Sequence, residues 1–86
     1  MKKIIKFYAN WCGPCKMYAG IFESTTANYA DQIEIHNINV DDDTSGLANK
    51  YKIMNIPATV LVKEDGSFIK KVGPLSEHQL TELILS

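Results

Sequence analysis

Cysteine, proline, glycine and tryptophan are all scarce: two, three, five and one among 86 residues. Two cysteines cannot build the multi-bridge framework that small secreted domains use in place of a core. No charge of one sign dominates, because nine basic and ten acidic side chains leave a formal net charge of −1. That balance gives no field to steer the chain to nucleic acid or to an anionic membrane. No apolar run approaches the ~18 residues of a membrane-spanning helix. Near the N-terminus Lys6 breaks the stretch opened by Ile4 and Ile5, so no apolar segment of secretory-leader type fits there. The acids of Asp41-Asp42-Asp43 lack the glycine-spaced pattern of a calcium loop and read as a solvated loop and helix start. Repeats, low-complexity tracts and linkers are missing too.

What is present is ordinary globular composition, 45% hydrophobic and 22% charged, which argues against disorder. Residues 1–86 are expected to form one domain, in the reducing cytosol. In that compartment two cysteines three apart point to catalysis or metal binding rather than to a structural staple.

Lys2–Ala9 reads as a strand, with Ile5, Phe7 and Ala9 on one face and Ile4, Lys6 and Tyr8 on the other. Asn10 to Gly13 is a turn. From Pro14 to about Tyr29, the residues Met17, Tyr18, Ile21, Phe22, Thr25 and Tyr29 recur at helical spacing and predict an inward stripe. Proline is tolerated in the first turn because its missing N–H has no partner there. Gln32–Val40 is strand-like, but its apolar parity switches after Ile35, which implies burial on both faces or a bulge. A short helix is expected from about Thr44 to Lys50. Ala58–Lys63 and Ser67–Val72 form a hairpin about Glu64-Asp65-Gly66, and the Ser76-Glu77-His78-Gln79 capping box opens a last helix. The order βαβαββα predicts an α/β fold, a four-stranded mixed sheet flanked by three helices.

The chemistry sits at Cys12-Gly13-Pro14-Cys15, where a strand gives way to a helix. First-turn positions bring the two Cα atoms to ~5–6 Å, inside the window a disulfide requires. A sulfur at the helix N-terminus meets unpaired N–H groups and the positive end of the dipole, which favour the thiolate. Cys15, one turn further in, is expected to be shielded. Cys12 is therefore the candidate nucleophile and Cys15 the resolving thiol, cycling between dithiol and disulfide. Gly13 allows close approach of a partner's backbone and Pro14 stiffens the loop. The competing zinc site needs two more ligands, and only His36 and His78 are left, far apart in the chain.

The segment Trp11-Cys12-Gly13-Pro14-Cys15-Lys16-Met17 resembles the active-site signature of thioredoxins. The likeness runs on through Ile38-Asn39-Val40-Asp41, Lys50-Tyr51-Lys52-Ile53, Ile56-Pro57-Ala58 and Val72-Gly73. It covers nearly the whole chain but for the family's first strand and helix, so the expected fold is a minimal thioredoxin fold. The resemblance implies a cis Ile56–Pro57 bond facing the cysteine pair, with the Ile56 backbone free to pair with an extended substrate segment. It also implies an apolar rim of Trp11, Pro14, Pro57 and the Gly73-Pro74 turn around Cys12. A reductase of protein disulfides is the implied activity. It would bind no cofactor, act as a monomer on disulfide-containing client proteins, and take electrons from a flavin- and NADPH-dependent thioredoxin reductase.

The pattern breaks at Lys6, where thioredoxins usually carry a buried aspartate, and at Asn37, where they often have its lysine partner. Lys6 is thus a candidate modulator of the thiols' ionisation, against the alternative that it snorkels to water. Tyr8 replaces a customary tryptophan, and Gly20 stands where relatives kink the helix with proline. Two other functions fit the sequence: a glutaredoxin-like or ribonucleotide-reductase-specific redoxin, and a non-catalytic interaction module of the same fold. Against the former, Val72-Gly73-Pro74-Leu75 differs from a glutathione-binding pattern.

Overall fold

A run of four buried residues, Ile4 to Phe7, makes the first strand the axis of the molecule. In the computed structural model, which describes residues 1–86, β1 (Lys2–Tyr8) pairs in parallel with β2 (Ile33–Asn39) and antiparallel with β3 (Ala58–Val62). β4 (Phe68–Val72) adds antiparallel to β3, giving the sheet order β2-β1-β3-β4. Helix α1 (Gly13–Ala27) makes the crossover between the parallel strands, α2 (Leu47–Lys50) follows β2, and α3 (Glu77–Leu85) closes the chain. This is the α/β arrangement of four strands and three helices that the sequence order implies.

Alternation along β1 feeds two cores. Ile4 joins Tyr18, Phe22, Ile33, Leu61, Leu80 and Leu83 under α1 and α3. Ile5 and Phe7 face the other way and pack with Tyr51, Ala58 and Val60, where Leu47 and Ala48 of α2 add cover. The register of β1 on β2 runs one to one from Lys2↔Ile33 to Tyr8↔Asn39. The parity switch in β2 is therefore burial on both faces and not a bulge: Ile33 and Ile35 join the first core, Ile38 the second.

The helix stripe needs correction. Tyr18, Phe22 and Thr25 are buried as expected, but Met17 is 80% and Ile21 37% exposed. With about 100° per residue, the inward line runs through positions 15, 18, 22 and 25, and positions 17 and 21 fall on its flank. The second helix is also shorter than expected. The Asp43 carboxylate accepts N–H groups of Ser45, Gly46 and Ala48, and Gly46 adopts a left-handed φ of 75°, so a single 3-10 turn at Val40–Asp42 is set apart from α2, which begins only at Leu47. The Ser45 hydroxyl first, and then the backbone N–H groups of Ala48, Ser45 and Gly46, hold the Asp43 carboxyl below its ordinary range.

The hairpin and the last helix follow their local signals. Lys63 and Ser67 close the turn with a 2.7 Å hydrogen bond, and Gly66 supplies its φ of 91°. At α3 the capping box is complete: Gln79 N–H donates to Ser76 Oγ at 3.1 Å, and Ser76 N–H donates to Gln79 Oε1 at 2.9 Å.

Candidate active site

The end of β1 delivers the chain to the head of α1, and both cysteines stand at that junction. Cys12 N–H donates to Ala9 O at 3.2 Å, which folds the turn back on the strand. Cys12 has extended backbone angles and serves as the N-cap of α1, with Pro14 in the first turn. Its Sγ accepts the Cys15 N–H at 3.2 Å, so a sulfur fills the place that serine or aspartate fills in most caps. The two cysteines are joined in a disulfide with their Cα atoms 5.3 Å apart. Both are buried, Cys12 at 5% and Cys15 at 3% exposure. The difference between them lies in position along the helix rather than in whole-residue burial.

Around the pair Ala9 completes a small buried cluster, with Tyr8, Val40 and Ile56 packed against it. The Ile56–Pro57 peptide bond is cis. Gly73, at a φ of 93°, donates its N–H to Pro57 O at 2.7 Å and ties the end of β4 to the start of β3. The Ile56 N–H and carbonyl take no part in the backbone hydrogen bonding of the chain.

The expected rim is only partly on the surface. Trp11 is 69% exposed, and Gly13, Pro14 and Pro74 are exposed with it, but Pro57 is fully buried. Its ring packs inward while its carbonyl holds Gly73, so it shapes the rim from beneath without offering surface. Sequence reasoning missed the group that fixes Trp11. The indole Nε1–H donates to Asp41 Oδ2 at 2.7 Å, and Asp41 N–H is in turn held by Asn39 Oδ1 at 3.0 Å. An acid in a solvated loop gave no local sign of that partner.

A second missed contact joins α1 to β3. Tyr18 Oη and Thr59 Oγ1 are 2.7 Å apart with both residues at 0% exposure. Burial pushes the Tyr18 phenol up to about 12, opposed in part by the Thr59 hydrogen bond. Lys6 is beside Thr59 in register on β3 and beside Asn37 on β2. As a residue it is 7% exposed, with its Nζ 5.2 Å from the ring centres of Tyr8 and Phe22. The histidines stay apart from the cysteines in role. His36 has a buried Nε2 with no hydrogen-bond partner, and His78 pairs with Glu82 on α3. Nowhere do three or more His, Cys, Asp or Glu side chains gather as they would around a metal ion.

A disulfide between cysteines three apart at the head of a helix, on a mixed four-stranded sheet, is the arrangement of a thiol–disulfide oxidoreductase. The family model described as Thioredoxin matches residues 1–86. A thioredoxin of Acidithiobacillus ferridurans is 38% identical over 81 residues, covering 94% of this chain and 74% of that protein. A Staphylococcus aureus thioredoxin is 35% identical over 82 residues, covering 95% of this chain and 78% of that one. Among solved structures, the germline-specific thioredoxin Deadhead of Drosophila melanogaster superposes with a TM-score of 0.84 at 28% identity, over 98% of this chain and 78% of that one. Chloroplastic thioredoxin z superposes with a TM-score of 0.83 at 27% identity, over 98% and 75%. The chain belongs to the thioredoxin family and is a protein-disulfide oxidoreductase.

Proposed function

We propose that the chain works as a reductase of disulfides in other proteins, with residues 1–86 acting as one domain. The observation that carries this is the Cys12 cap: its sulfur already receives the Cys15 N–H at 3.2 Å at the head of a 15-residue helix. After reduction the same N–H and the helix dipole are in place to favour a Cys12 thiolate. That thiolate attacks one sulfur of the client's disulfide. A Cys12–client bond forms, and the other client sulfur leaves as a thiolate that takes up a proton. Cys15 then loses its proton and attacks Cys12. The Cys12–Cys15 bond forms, the mixed disulfide breaks, and the client leaves with both sulfurs reduced. Two electrons have passed from the pair to the client.

Docking follows from the groups left unpaired around the sulfurs. An extended client segment can hydrogen-bond the free N–H and carbonyl of Ile56 in strand fashion. Trp11, Gly13, Pro14 and Gly73 flank that segment, and buried Pro57 sets the level of the Ile56 backbone. The chain acts as a monomer in the cytosol, and a flavin- and NADPH-dependent thioredoxin reductase returns the electrons. No helix is long and apolar enough to cross a membrane.

Insulin, whose chains are joined by disulfides, is the test substrate. With NADPH and a thioredoxin reductase the chain should precipitate reduced insulin in a catalytic amount, and glutathione should serve as a much poorer donor. Turnover with glutathione alone would make it a glutaredoxin-like protein. Failure with every donor, with client binding retained, would make it a non-catalytic module.

A further inference from the structure

Lys52 is the one residue other than glycine with a left-handed backbone, at a φ of 54°. A Cβ crowds its own peptide groups there, so the conformation costs free energy. The reason for it lies in how α2 ends. Lys52 N–H donates to Asn49 O at 3.2 Å and Ile53 N–H donates to Ala48 O at 2.8 Å. These are the paired bonds with which a helix commonly stops on a left-handed glycine. Here a lysine stands in the glycine's place.

A second lysine holds that turn from outside. Lys70, in the middle of β4, donates from Nζ to Tyr51 O at 3.2 Å and to Lys52 O at 3.1 Å. It takes part in neither ion pair of the chain, so these two carbonyls are its polar partners. Two residues back along the strand, and so on the same face, Phe68 sets its ring edge-on to Tyr51 with centres 4.8 Å apart. Farther on, Gly73 N–H holds Pro57 O at 2.7 Å. The segment from Tyr51 to Pro57 is thus fastened to β4 at both ends. Between the fastenings lies Ile56, whose N–H and carbonyl make no backbone hydrogen bond.

We propose that Lys70 is a positioning residue for client docking, its ammonium holding the left-handed turn at Tyr51–Lys52 and so keeping the Ile56 backbone aligned for an extended client segment. The proposal rests on the reading that clients pair with Ile56. A lysine in the left-handed region brings the turn close to the point where another backbone conformation competes. Two hydrogen bonds from a cation to its carbonyls tip that balance. Where only a fraction of molecules holds the docking conformation, apparent affinity for a client falls by that fraction. The exchange of sulfurs at Cys12 in a bound client is unaltered. Lys70 therefore acts on binding and not on chemistry.

The test follows single-turnover reduction of a disulfide-bonded peptide by the reduced chain at rising peptide concentration. Lys70→Met should raise the half-saturating concentration about three- to tenfold, the range set by the net strength of ordinary hydrogen bonds, and leave the maximal rate unchanged. Bis(2-hydroxyethyl) disulfide has no peptide backbone to pair and should react equally fast with both proteins. Lys70→Arg keeps donors for both carbonyls and should stay within about twofold of the unaltered chain. Lys52→Gly removes the left-handed cost and, added to Lys70→Met, should recover most of the loss. An unchanged half-saturating concentration in Lys70→Met, an equal slowing with the small disulfide, or a loss that Lys52→Gly does not mend would overturn the role of Lys70. A peptide N-methylated beside its disulfide separates that failure from failure of the docking reading. If the unaltered chain reduces it as readily as the parent peptide, clients do not pair with Ile56 and the proposal falls with that reading. If the methylated peptide is rejected, docking on Ile56 stands and the Lys70 variants decide the rest.

Discussion

Trp11 Nε1 and Asp41 Oδ2 lie 2.7 Å apart across a sequence separation of 30 residues. The pairing ties the turn that carries Cys12 to the turn at the end of β2, and it orients the large exposed apolar group beside the disulfide. An indole left free to rotate would have to be ordered each time a client bound.

Asp41→Ala should therefore loosen the rim without loosening the fold. Both groups are exposed, so the stability change should stay within about 0.5 kcal/mol. Insulin reduction should lose severalfold in kcat/KM, chiefly through KM. The chain has one tryptophan, so its fluorescence anisotropy reports the indole directly and should fall in the variant.

The buried Tyr18–Thr59 hydrogen bond has the opposite profile. Thr59→Val strands the phenol in the core and should cost about 1–3 kcal/mol in urea unfolding. Adding Tyr18→Phe should recover part of that loss, because neither partner then remains unsatisfied.

Tyr18 also sets an alkaline limit. Its pKa is about 12 in the folded chain against about 10 unfolded. Below pH ~10 both states hold the proton and the contribution is whole. As pH rises from there toward 12 the unfolded state ionises first, so stability drops, by something on the order of 2 kcal/mol. Tyr18→Phe should flatten that part of the pH–stability curve for the oxidised protein.

At the head of α3, Ser76→Ala removes a cap whose hydrogen bond to Gln79 N–H measures 3.1 Å. A loss of about 1 kcal/mol is expected, and a Tm lower by roughly 4–8 °C in thermal unfolding.

Much of this follows from local signals. The Ser76 box, the Asp65-Gly66 turn and the parity of β1 are decided by neighbours a few residues away, and each formed as its chemistry required. The cysteine pair was legible for the same reason, since a three-residue spacing at a helix start sets its own geometry. Contacts between distant segments were not. Nothing near Asp41 points to Trp11, and nothing near Thr59 points to Tyr18. Met17 and Ile21 look like core residues until the packed sheet shows the inward line of α1 running through Cys15, Tyr18, Phe22 and Thr25. Lys6 is the sharpest case. Its place on the Ile4 face could be read from alternation, but burial against Phe22 and a cleft shared with Cys15 needed the packed helix.

The division of labour between the sulfurs is tested most directly by trapping. Reduced Cys15→Ser protein, mixed at pH 7 with a disulfide-bonded peptide, should accumulate a one-to-one mixed disulfide through Cys12, visible by intact mass. Cys12→Ser should give little or none under the same conditions. Equal trapping by the two variants, or trapping through Cys15 alone, would contradict the assignment of the helix-capping sulfur as the one that attacks.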